Sequence, residues 1–122
     1  MPLIALRGAI TVAADDPALI AEATRELLDT LLARNGLEVA QVISAYFTCT
    51  ADVVSAYPAQ AARDLGWRHV PMLCAADLPV PGALPRCIRV LLHVQQPAAL
   101  PPRHAYLRDA AVLRGDLEDA AP

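Results

Sequence analysis

A chain of 122 residues with a net charge of -3 has room for one core, and its length argues for a single domain over residues 1–122. The charges form no block, which excludes a basic nucleic-acid face, and the apolar runs stop short of the roughly 18 residues that cross a bilayer. All ten basic side chains are arginines, so Schiff-base lysine chemistry and a Walker-type phosphate loop are excluded.

Leu3 to Val12 reads as a first strand. Asp16-Pro17 then supplies an N-cap and a proline suited to the first helical position. From Ala18 to Arg34, Ile20, Ala23, Leu27, Leu28, Leu31 and Leu32 recur at helical spacing, and Asn35-Gly36 gives the stop. Val39 to Thr48, rich in β-branched and aromatic residues, predicts a second strand. Pro58 to Leu65 before Gly66 predicts a short helix, and Trp67 to Cys74 a third strand. Three prolines and Gly82 make Ala75 to Pro85 a loop. Cys87 to Val94 is a fourth strand, Ala105 to Leu113 holds the last strand material, and the tail from about 115 is expected to fray. This order predicts an α+β fold, a mixed sheet covered by one long helix.

The apolar fraction of 56% exceeds the roughly 45–50% of ordinary soluble domains, which predicts apolar surface left over for an oligomer. Three cysteines without paired spacing and three histidines unrelated to them argue against disulfides and structural zinc, and no metal site is expected. No charged leader precedes an apolar run, so a cytoplasmic protein is expected, with no membrane or nucleic-acid partner.

Two arginines are oddly placed. Arg7 ends the run Leu3-Ile4-Ala5-Leu6, and Arg89 interrupts Cys87-Ile88-Val90-Leu91-Leu92. Such a residue is either an edge charge that discourages strand pairing or an anion clamp held against a low-dielectric wall. By alternation Arg89 shares a face with Cys87, Leu91 and His93.

The segments Leu6-Arg7-Gly8-Ala9-Ile10-Thr11-Val12, Tyr57-Pro58-Ala59-Gln60-Ala61-Ala62-Arg63, Cys74-Ala75-Ala76-Asp77, Arg86-Cys87-Ile88-Arg89-Val90 and Arg103-His104-Ala105-Tyr106-Leu107 carry a resemblance. In order and spacing they are similar to the Bacillus-type (AroH class) monofunctional chorismate mutases, over about Ala5 to Leu117. The resemblance implies a pseudo-α/β-barrel homotrimer with sites between subunits. It also implies rearrangement of chorismate to prephenate in aromatic amino-acid biosynthesis, without a cofactor. Position by position, Arg89 would address the ether oxygen and a carboxylate, and Arg7 and Tyr106 would bind carboxylate. Arg63 would help close the site, Cys74 would lie beside the ring hydroxyl, and Tyr57, Leu73, Leu113 and Arg114 would complete the walls.

Three positions depart from the family pattern. Asp77 stands where glutamate would accept a hydrogen bond from the ring hydroxyl, Tyr57 where phenylalanine is usual, and Gln60 where lysine is common. Asp77 keeps two other readings open: a relative acting on an amino analogue of chorismate, and a non-catalytic trimeric metabolite-binding protein.

Overall fold

A computed structural model describes residues 2–96 and 100–113; Arg114 and the tail expected to fray lie outside the described residues. Five strands form one sheet: β1 (Leu3–Thr11), β2 (Val42–Cys49), β3 (Met72–Ala76), β4 (Cys87–Gln95) and β5 (Ala105–Leu107). Their order is β3-β2-β4-β1-β5. The central pairs β1–β4 and β2–β4 are antiparallel and the outer pairs β1–β5 and β2–β3 parallel, so the sheet is mixed as expected.

The long helix α1 (Pro17–Asn35) begins and ends where the sequence signals place it. The Asp16 carboxylate accepts the Leu19 N–H at 3.1 Å, and Gly36 at φ 62° stops the helix in the left-handed region. Its buried stripe of Ile20, Ala23, Leu27, Leu28, Leu31 and Leu32 packs with Leu6 and Ile10 of β1 and Ile88, Val90, Leu92 and Val94 of β4. Gly8 sits between them because a Cβ there would meet Leu27 Cδ1 at 2.9 Å, Leu31 Cδ1 at 3.0 Å and the Ala105 carbonyl at 3.1 Å. A second helix, α2 (Pro58–Asp64), packs on α1 and β3.

Three strand boundaries differ from expectation by more than two residues. Val39–Gln41 is a 3₁₀ turn, closed by the Glu38 N–H donating to Gln41 Oε1 at 2.9 Å, so β2 starts only at Val42. Trp67 does not open a strand. Its N–H continues the α2 terminus by donating to the Ala62 carbonyl at 3.0 Å, its ring is buried in the core, and Pro71 precedes β3. The last strand ends at Leu107, because Arg108 takes a φ of 55° and starts a 3₁₀ turn over Arg108–Val112.

The face of the sheet away from α1 is covered at one end by the Arg108–Val112 turn, whose Ala110 packs on Ala9, Cys87 and Tyr106, and is otherwise left open among the described residues. Leu3, Tyr46 and Leu73 are 60%, 47% and 63% exposed there. On the same face, Ser44 Oγ lies 3.1 Å from His93 Nδ1, and Tyr46 meets the His93 ring edge-on. The alternation predicted for Arg89 holds: Ile88, Val90 and Leu92 enter the α1 core, while Cys87 joins Ala9, Tyr106 and Ala110 in a smaller cluster on the other side.

Candidate active site

Strand register brings the oddly placed arginines together. Tyr106 pairs with Ala9, Ala9 with Arg89 and Arg89 with Thr48, while Arg7 pairs with Leu91 and Leu91 with Tyr46 in the adjacent row. A cavity of about 290 Å³ opens over these rows, lined by Arg7, Arg89, Tyr106, Leu113, Tyr46 and Thr48 among others. β1 fixes Arg7, whose backbone N–H donates to His104 Nδ1 at 3.0 Å. Leu113 returns to Tyr106 because the chain reverses at Arg108. The Arg108 guanidinium donates to the Thr11 carbonyl at 3.1 Å and to Glu26 Oε1 at 3.0 Å, which holds a backbone conformation that side chains rarely adopt.

Asp77 reaches the same cluster. Its N–H donates to the Cys49 carbonyl at 2.9 Å, and its Oδ2 lies 3.2 Å from Arg89 Nε. That contact is an ion pair but not an aligned hydrogen bond, since Arg89 Nε is buried without a hydrogen-bond partner. Thr48 Oγ1 shares this condition.

The remaining expected residues lie elsewhere. Cys74 pairs with Phe47, so its side chain takes the opposite face from Arg89. It lines a second cavity of about 420 Å³ with Tyr57, Cys49, Val54 and Ser55. Leu73 is exposed in the row of Tyr46 but outside both cavities, and Arg63 is exposed on α2, donating to Gln60 Oε1 at 3.1 Å. One chain thus gathers Arg7, Arg89, Tyr106, Leu113 and Asp77 on one side, and Cys74 and Tyr57 on another.

Two aspartates fasten the loops around these cavities. Asp15 Oδ1 accepts the N–H groups of Val54 and Ser55, both at 3.0 Å, and the Ser55 bonds hold its carboxyl below the usual range. Asp52 accepts the Thr50 hydroxyl and, through both oxygens at 3.0 Å, the N–H of Arg86, whose φ is 48°. The Thr50 bond first, then the Arg86 N–H, lowers its carboxyl. Burial pushes the Cys49 thiol up to about 12, helped by Cys74 and Asp77, and raises Cys87 as well. Neither thiol is a nucleophile at neutral pH. Among the described residues no group of three His, Cys, Asp or Glu side chains could hold a metal ion.

A family model described as chorismate mutase type I matches residues 3–117. The chain belongs to the type I chorismate mutase family. It is 50% identical over 118 residues to the chorismate mutase AroH of Thermus thermophilus, covering 94% of this chain and 96% of that one. To the chorismate mutase AroH of Bacillus subtilis (strain 168) it is 36% identical, covering 96% of this chain and 94% of the relative. Its fold superposes on a chorismate mutase from Clostridium thermocellum with a TM-score of 0.87 at 40% identity, over 90% of this chain and 99% of that one.

For a type I chorismate mutase, two of the cavity's lining residues carried no sequence signal of their own. Tyr46 and Thr48 lie in an ordinary β-branched and aromatic run, and only their register against Leu91 and Arg89 brings them to the cavity.

Proposed function

We propose that this chain converts chorismate to prephenate, and that the reaction takes place where the arginine-bearing face of one copy meets the Cys74 and Tyr57 face of the next in a homotrimer. The reaction is an intramolecular shift in which the ether carbon–oxygen bond breaks as a carbon–carbon bond forms. It needs no nucleophile, base or cofactor, only geometry and charge. Arg89 stabilises the negative charge that grows on the ether oxygen, more strongly in the transition state than in the ground state. Arg7 and Tyr106 take carboxylate, and Leu113 walls the arginine side. Cys74, Tyr57, Leu73 and Arg63 close the site from the neighbouring copy, and Asp77 faces the ring hydroxyl. Holding the enolpyruvyl arm over the ring removes rotational freedom before the reaction.

The observation that carries this reading is the cluster of Arg7, Arg89 and Tyr106 around one cavity on the sheet face away from α1. Two guanidinium groups and a phenol at a partly desolvated wall suit a dicarboxylate, and planar forks meet carboxylates two bonds at a time. The family's place in aromatic amino-acid biosynthesis supports a cytoplasmic location. Among the described residues, no helix is long and apolar enough to cross a membrane.

Purified protein incubated with chorismate and followed by proton NMR tests the activity. Prephenate should appear as chorismate disappears, in buffer containing a chelator and no added cofactor. Chorismate persisting at its uncatalysed rate would overturn the reading.

A further inference from the structure

Among the described residues, Thr48 Oγ1 and Arg89 Nε are the buried polar side-chain atoms without a hydrogen-bond partner. Buried groups in this condition are uncommon, and each retains its desolvation cost. These two are neighbours. Thr48 and Arg89 are register partners on β2 and β4, and both line the arginine-bearing cavity. Directly opposed residues of antiparallel strands hold their Cβ atoms roughly 4.5–5.5 Å apart. One atom is an N–H donor and the other a hydroxyl oxygen able to accept. Both are shielded from solvent, so nothing entering the cavity reaches them as they stand. Asp77 does not fill the need, because its Oδ2 at 3.2 Å supplies charge from outside the line of the N–H bond.

We propose that Thr48 is a positioning residue for Arg89. A turn about its χ1 lets the Thr48 hydroxyl accept the Nε–H, which fixes the plane of the guanidinium and leaves the two Nη groups as the fork presented to substrate. Proton and charge stay where they are; only an orientation is set. The inference deepens the site reading above and rests on it, since it matters for rate only if Arg89 meets the reacting oxygen. A fork aimed in advance acts where charge develops, so its loss falls on kcat rather than on KM.

Thr48→Val removes the hydroxyl at nearly constant shape, and Thr48→Ser keeps it. In Thr48→Val, kcat should fall about tenfold, the value of one lost aligned hydrogen bond, with KM within about twofold. Its melting temperature should fall by no more than a few degrees, the value of the one hydrogen bond that the Arg89 Nε–H loses. Thr48→Ser should keep kcat within about threefold. Arg89→Lys, made alongside, keeps charge but loses the planar fork, and should lower kcat about 10²-fold. Thr48→Val with unchanged kcat beside an impaired Arg89→Lys would overturn the positioning role alone. Equal losses of kcat in Thr48→Val and Thr48→Ser would overturn it too, because the hydroxyl would not be the group that matters. An Arg89→Lys variant with unchanged kcat would overturn the site reading beneath it.

Discussion

Asp77 starts from a fixed point, its N–H bonded to the Cys49 carbonyl, and from there its carboxylate reaches Arg89 Nε only out of line. A glutamate would extend the carboxylate's reach toward the ring hydroxyl by roughly 1–1.5 Å, enough to turn a bond relayed by water or backbone shift into a direct one. Asp77→Glu should therefore maintain or raise kcat/KM for chorismate, by up to roughly tenfold. A tenfold fall in steady-state kcat/KM, with assembly intact, would mean the pocket is fitted to aspartate and that the added methylene clashes. At this scale much of the candidate site was legible in advance. Arg7 and Arg89 stand out because arginine inside an apolar strand demands a partner, and Tyr106 lies in a segment that resembles the family. Thr48 gave no such signal, because threonine is at home in any strand and only the register opposite Arg89 distinguishes it.

The loops that carry the site are tied to the frame by carboxylates, and this gives the elements a pH dependence. Asp52 holds the Arg86 turn at the start of β4, and its folded pKa lies below its unfolded value near 3.9. The unfolded state therefore binds more protons between the two values. The stabilisation is fully present above about pH 4 and is lost as pH falls through the folded pKa. Melting temperatures measured from pH 6 to pH 3 should drop more steeply for the wild type than for Asp52→Asn, which cannot ionise. Parallel curves would show that Asp52 does not couple folding to pH. Sequence reading served the elements unevenly, for a physical reason. The ends of α1 are set by residues beside them, Asp16 and Gly36, and were placed closely. The start of β3 and the end of β5 are set by distant partners: Trp67 sinks into the core, and Arg108 is bound by Thr11 and Glu26. Local propensity carries no trace of either.

For the whole molecule, the exposed apolar part of the sheet face and the separation of the candidate residues into two cavities would share one explanation in the proposed trimer. A sheet with α1 on one side and Leu3, Tyr46 and Leu73 exposed on the other leaves apolar surface for another copy to cover. Cys74 and Arg89 point to opposite faces and line separate cavities of one chain; in the proposed trimer, two chains meeting cavity to cavity would close a site around a small dicarboxylate. A closed ring of three repeats that contact three times. Subunit complementation tests this claim most directly. Arg89→Ala damages one face and the Tyr57→Ala/Arg63→Ala pair damages the other, and each should be nearly inactive alone. Co-expressed in equal amounts, they should recover about a quarter of wild-type activity, because each interface of a randomly assembled trimer joins the two intact faces with a probability of about one in four. Activity no greater than the average of the two parents, in mixed trimers verified by mass spectrometry, would show that the site lies within a single chain and would contradict the account.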